Sequence, residues 1–199
     1  MSKVYDETYF NRWYRGAQPA ANRAHLRRKV AMAVAMAEYY LERPIRTVLD
    51  IGAGEAAWRA PLLALRPKLQ YLAFDSSEYA VQRYGARRQL HYATFGDFEW
   101  LRPCPPVDLL ICADVMHYVP TAELKRGAQG LAALTGGLAF LETFVSGDPF
   151  AGDTDGFQKR SPAAFRKILE SAGLAPIGSH FWARQEVVAQ FAAMERPGG

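Results

Sequence analysis

At 199 residues, half of them hydrophobic, the chain has enough apolar material for one substantial core and reads as a single domain. No stretch approaches the roughly 18 consecutive apolar residues of a membrane span, and MSKVYDETYF lacks a basic start followed by an apolar run, so a cytoplasmic location away from membranes is expected. Two cysteines, Cys104 and Cys112, are too few for a disulfide framework and lack zinc-site spacing, so buried thiols and no metal are expected, and the formal charge of +4 is too modest to demand nucleic acid as a partner.

Before residue 45 an aromatic cluster, Tyr5, Tyr9, Phe10, Trp13 and Tyr14, precedes a long helical pattern through Ala31, Ala33, Val34, Ala37, Tyr40 and Leu41. The cluster reads either as packing for that helix or as a lid, with Arg15 beside it. Arg23, Arg27, Arg28 and Lys29 form a local basic group that reads as a solvated helix face, since no nucleic-acid-binding signature accompanies it.

Residues 46–52 are a short apolar run stopped by glycine, which predicts a strand buried on both faces. Similar runs follow at 71–74, 90–95, 107–112 and 138–144. Helical patterns lie between most of them, at 57–65, 77–86 and 121–134, with Ser77 and Thr121 as expected N-caps and Pro61 tolerated in a first turn. After Phe144 a polar, glycine-rich stretch containing Asp148, Phe150, Asp153, Asp155, Phe157 and Lys159 is too long for a routine connection, and reads as a surface excursion or a substrate gate. A helix opens at Ser161-Pro162 and ends near Gly173, and two strand-like runs, 175–183 and 186–195, close as an antiparallel hairpin. The expected fold is α/β: a doubly wound, mostly parallel seven-stranded sheet, helices on both faces, and a C-terminal antiparallel hairpin. Residues 1–45 would be a helical lid or cap, and residues 46–199 the core.

The most informative stretch is Val48-Leu49-Asp50-Ile51-Gly52-Ala53-Gly54-Glu55-Ala56, a strand running into a glycine-rich turn and then a helix. A ligand must approach the backbone of such a turn closely, and some of its positions need positive φ. Gly52-x-Gly54 with Asp75 also fits a dinucleotide fingerprint. Asp50 helps to separate the two readings, because a carboxylate just before the turn is poorly suited to a pyrophosphate and better suited to an ammonium group.

With these residues the chain resembles a class I S-adenosylmethionine-dependent methyltransferase over about residues 46–195. The resemblance implies S-adenosylmethionine as cofactor, with Asp50, Gly52, Ala53 and Gly54 around its methionine end and Asp75 on the ribose hydroxyls. Asp75 can alternatively cap the helix near Ser77. By the same resemblance Asp97 contacts the adenine amino group, flanked by Ser76 and Phe98, although Asp97 can equally be a loop residue bonded to its own backbone. Val107 to Val119 is similar to the family's fourth motif, which brings in Asp114, His117 and Tyr118. His117 is either a general base, with Tyr118 and Glu142 behind it, or a hydrogen-bonded residue of the loop wall. Tyr9, Trp13, Tyr14, Arg15, Glu142 and Phe150 are the candidates for substrate and lid. The sequence departs from the family pattern at Glu55 and at Ala56, where a third glycine is usual and a methyl group would narrow the space beside the cofactor.

The activity expected is methyl transfer to a small-molecule acceptor by in-line attack, driven chiefly by positioning and exclusion of water. A nicotinamide-dependent oxidoreductase and a non-catalytic S-adenosylmethionine-binding regulatory protein are the alternatives.

Overall fold

In the computed structural model, which describes residues 6–14, 19–149 and 153–196, the alternation of apolar runs and helical patterns becomes one sheet wrapped by helices. Helices α1 (Glu7–Tyr14) and α2 (Pro19–Leu41) precede strand β1 (Thr47–Ile51). There follow α3 (Arg59–Leu65), β2 (Gln70–Asp75), α4 (Glu78–Arg88), β3 (Leu90–Tyr92), β4 (Val107–Ala113), α5 (Thr121–Leu134) and β5 (Thr135–Glu142). The chain then forms α6 (Pro162–Ser171), β6 (Leu174–Gly178), β7 (Phe181–Arg184) and the short α7 (Gln185–Val188). The strand order is β3-β2-β1-β4-β5-β7-β6, with the first five strands parallel and β7 antiparallel to both neighbours.

Side-chain alternation along each strand divides the core in two. Val48, Tyr71, Ala73, Leu109, Ile111, Leu138 and Phe140 face α2 and α3, where Val30, Ala33, Val34, Ala37 and Leu62 meet them. Leu49, Ile51, Phe74, Leu110, Cys112, Ala139 and Leu141 face α5 and α6. Asp50 lies between Val48 and the turn, on the α2 side, and is therefore a carboxylate inside an apolar layer.

At the opposite end of the sheet Asp108 accepts both guanidinium nitrogens of Arg43, at 2.6 and 3.1 Å, and the amides of Arg46 and Thr47. These bonds tie the connection between α2 and β1 to the start of β4. Gly130 of α5 allows another close approach, since a Cβ there would lie 1.7 Å from the Phe98 carbonyl oxygen.

Several sequence expectations are corrected. The run 90–95 is a strand only to Tyr92, because Phe95–Glu99 winds into a 3₁₀ turn. Pro120, not Thr121, caps α5; Thr121 is its first residue, and its hydroxyl accepts from Arg160. The closing hairpin lies within 174–184, turning at positive-φ Ser179 and His180, and 186–195 is helical rather than extended. Its Val188 and Phe191 cover the α2 layer, a job done here with helical rather than strand spacing. Cys112 is buried in β4 but Cys104 is only half-buried. No described helix is long and apolar enough to cross a membrane.

Candidate cofactor and acceptor site

The chain leaves β1 for one flank of the sheet and returns through β4 to the other, so the crevice between their carboxyl ends is the topological switch point where doubly wound sheets bind ligands. The turn after β1 is fixed from within. The amides of Gly52 and Ala53 both donate to the Phe74 carbonyl, at 2.8 and 3.0 Å. Ala56 N donates to Ala53 O, and Gly54 N donates to Asp75 Oδ2 at 2.7 Å. Gly52 and Gly54 have φ of +73° and +54°, the region that favours glycine. Gly52 is also confined by β4's exit, for a Cβ on it would lie 2.4 Å from Val115 Cγ2.

Two adjoining cavities open beside this turn. One, of about 390 Å³, is lined by Tyr9, Lys29, Asp50, Gly52, Ala53, Trp58, Asp114, Tyr118 and Glu142, among others. The other, of about 70 Å³, is lined by Tyr9, Phe10, Gly52, Gly54, Asp75, Ser76, Asp114, Val115 and Tyr118.

Of the residues singled out in the sequence, Tyr9, Asp50, Gly52, Ala53, Gly54, Asp75, Ser76, Asp114, Tyr118 and Glu142 thus converge on one crevice. Others do not line it. Asp97 is exposed, and its carboxylate accepts the amide of Thr94 at 2.7 Å, closing a capping box at the 3₁₀ turn. Phe98 is buried in the core, edge-on to Phe74. His117 has no exposed surface. Its ring is packed by Tyr118, Phe144 and Phe157, with Thr143 Oγ1 3.4 Å from Nδ1. A base must reach the proton it removes, and here the His117 ring sits in the wall and lines neither cavity, the second of the two readings of this residue. Arg15 and Phe150 lie outside the described residues, as do the side chains of Trp13 and Tyr14. Ala56, expected to narrow the space beside the cofactor, lines neither cavity and is instead among the residues of a separate groove between α2 and α3.

The electrostatics of the crevice are those of crowded carboxylates. Burial pushes Asp50 up to about 7 even though Tyr71 donates its hydroxyl to Oδ2 at 2.6 Å, and the charge of Asp75 adds to the rise. Burial also raises Asp75, against the amides of Gly54 and Ser77 that hold it down. Asp114 is raised by burial and then by Glu142, while Lys29 opposes. Tyr9 is pushed up to about 12 by burial first and then by Asp153, Asp114 and Asp75. A cation in the crevice would favour the ionised form of the three carboxylates, against the burial that raises them.

Lys29 and Tyr71 are site residues that the sequence reading missed. Lys29 Nζ lies 2.5 Å from Glu142 Oε2 with both side chains largely buried, so this residue of the basic group is not part of a solvated face. Its position, three residues after Leu26 and four before Ala33, places a charge inside the apolar stripe of α2, which was the available signal. Tyr71 stands two residues before Ala73, the neighbour of Asp50 on the adjacent strand, and so on the same face of the sheet, a polar-tipped residue in a buried run.

Above the crevice, α1 lays Tyr9 and Phe10 across the glycine turn. It is held to α4 by Phe10 against Tyr79, with ring centroids 5.7 Å apart, by Tyr79 donating to Glu7, and by the Arg83–Glu7 pair. Opposite, Tyr118 donates its hydroxyl to the Asp153 carbonyl at 2.8 Å, tying the long loop to the same wall. Among the described residues no group of three or more His, Cys, Asp or Glu side chains is placed to hold a metal ion.

No protein-family model and no curated protein matches the chain. Solved structures do. A SAM-dependent methyltransferase from Archaeoglobus fulgidus aligns with a TM-score of 0.63 at 16% identity, covering 84% of this chain and 73% of its own. Magnesium protoporphyrin IX methyltransferase from Synechocystis PCC 6803, with bound SAH, aligns with a TM-score of 0.60 at 24% identity, covering 87% and 89%. The sugar N-methyltransferase KedS8 from Streptoalloteichus sp. aligns with a TM-score of 0.59 at 18% identity, covering 88% and 86%. The chain therefore has the fold of the class I S-adenosylmethionine-dependent methyltransferases.

Proposed function

We propose that this protein is an S-adenosylmethionine-dependent methyltransferase acting on a small-molecule acceptor. The observation that carries the reading is the state of the glycine turn: the amides of Gly52, Ala53, Gly54 and Ala56 are all used internally, and the space beside them is ringed by carboxylates. A pyrophosphate needs free amides and positive potential. An ammonium and a sulfonium need the opposite.

The residues present fit S-adenosylmethionine. Asp50 would face the methionine ammonium. Asp75 would receive the ribose hydroxyls, because each of its oxygens accepts one amide and keeps acceptor capacity. Ser76 and Phe10 would border the nucleoside, and α1 would act as the lid that keeps water from the crevice. When bound, the cofactor supplies a methyl group already activated by positive sulfur. The protein's work is then to hold an acceptor atom in line with that group. Tyr118, Asp114 and Glu142, the last paired with Lys29, line the cavity and would orient it. Enzymes of this fold named for a porphyrin and for a sugar support a small acceptor.

The test is isothermal titration with S-adenosylhomocysteine beside NADH and NADPH. Binding of the homocysteine compound alone supports the proposal and opens an acceptor screen with labelled cofactor. Binding of a dinucleotide alone replaces it with the oxidoreductase reading, and cofactor binding without turnover on any metabolite points to a regulatory protein.

A further inference from the structure

Outside the crevice a groove of about 710 Å³ lies between α2 and α3. Its floor is built from apolar residues: Leu26 and Ala31 from α2, Ala60, Pro61 and Leu65 from α3, and Ala56. Its charged lining consists of arginines alone: Arg23, Arg27, Arg59 and Arg88. Arg88 is already engaged, donating to the Glu55 carbonyl and lying 4.2 Å from the Tyr84 ring centre. The other three have no carboxylate partner among the described residues. Arg59 Nε is buried with no hydrogen-bond partner among the described residues, a donor whose desolvation none of them offsets. Arg23 and Arg27, four residues apart on a helix, project side by side on one face.

We propose that this groove binds a free amphiphilic anion, a molecule with a hydrocarbon body and a carboxylate or similar oxyanion head. The body would displace water from the alanine, proline and leucine floor. The head would meet the forked donors of Arg23, Arg27 and Arg59, which match a planar oxyanion in pairs. The groove shares Leu26 and Ala57 with the larger crevice cavity as a common wall, so its occupant lies behind the glycine turn rather than over the reacting atoms. This site does not depend on the methyltransferase reading.

The experiment is a calorimetric titration of the full chain with decanoate, decanol and inorganic phosphate, each below any micelle concentration, and a flotation assay with phosphatidylglycerol vesicles. Decanoate is expected to bind at least about tenfold more tightly than either decanol or phosphate. The double variant Arg23→Gln/Arg27→Gln should weaken decanoate by about tenfold or more and leave decanol unchanged. Ala60→Trp, which fills the floor, should abolish decanoate binding while leaving the thermal midpoint near that of the parent. Equal affinity for decanol overturns the anion, and equal affinity for phosphate overturns the amphiphile. Decanoate binding unaffected by either variant overturns the location, and capture by vesicles without binding of free decanoate overturns the free ligand in favour of a membrane surface.

Discussion

Tyr71 and Asp50, on adjacent parallel strands, share a buried hydrogen bond of 2.6 Å, and among the described residues Tyr71 is the one side-chain hydrogen-bond partner of a carboxylate that burial has pushed up to about 7. The two residues make protonation at the floor of the crevice a variable of the fold itself.

One consequence is in stability. Because the folded pKa is raised above the ordinary 3.8, the unfolded chain releases the Asp50 proton first, and stability falls as pH rises from about 4 through about 7. The size of the effect is on the order of 4 kcal/mol at most. Asp50→Asn, which keeps an acceptor for Tyr71 but carries no charge, should match the parent in thermal unfolding at pH 4 and exceed its midpoint at pH 8. A midpoint difference that is the same at both pH values would contradict the buried-carboxylate assignment.

Ligand binding should run the other way. An ammonium group beside Asp50 requires the ionised form, so affinity for S-adenosylhomocysteine should fall by about tenfold per pH unit below 7. Titrations in two buffers of different ionisation enthalpy should show proton release near pH 6. In Asp50→Asn the affinity should be weak and flat across this range.

Gly52→Ala should lose most cofactor affinity, because its Cβ would lie 2.4 and 2.7 Å from the two γ-methyls of Val115 and its φ of +73° disfavours a side chain. Val115→Ala in the same chain should recover part of the loss by removing the clash. The remainder measures backbone strain, and no recovery at all would place the whole cost there. Stability curves for the four members of this cycle, alongside affinity, separate the two.

Asp75→Ala removes the acceptor for Gly54 N and Ser77 N and, in the proposed site, for the ribose diol. A loss of about 10- to 100-fold in S-adenosylhomocysteine affinity is expected. Asp97→Ala, whose carboxylate only caps a 3₁₀ turn, should cost about 1 kcal/mol of stability and leave affinity near that of the parent. Affinity that is unchanged in Asp75→Ala would remove the ribose assignment.

Arg160 has no carboxylate partner among the described residues, yet it is 7% exposed and donates to the carbonyls of Met116 and Val119 and to the Thr121 hydroxyl. Its guanidinium also faces Phe165 at 5.3 Å. Arg160→Met leaves those acceptors buried and should cost about 2–4 kcal/mol in urea unfolding. Arg160→Lys should recover less than half, since one ammonium cannot span three acceptors.

The order of strands and helices was legible because burial on two faces writes continuous apolar runs into β1, β4 and β5, and because Ser161-Pro162 carries a helix start in two residues. The glycine turn and its acids were legible because their spacing is dictated by the strand-to-helix exit. Residues 186–195 were misread because Val187, Val188, Phe191 and Ala192 satisfy short helical turns and a strand equally well. The burial of His117 was not legible because sequence order puts it beside Tyr118, whereas only the packing of Thr143, Phe144 and Phe157 decides which of the two faces the crevice. Lys29 and Tyr71 enter the site from elements far away in the chain, and no local pattern specifies their partners.

The insertion of β7 between β5 and β6 sets an order of events during synthesis. The outer edge of β5, an apolar strand in the middle of the finished sheet, stays bare from the time Glu142 emerges until Phe181 does. β6 is made earlier than β7 but has no place on the sheet without it, so the last hairpin must arrive as a unit with its younger strand leading. Until β7 docks, the folding chain therefore presents an unpaired apolar edge at β5, and this is the step most open to wrong strand pairing.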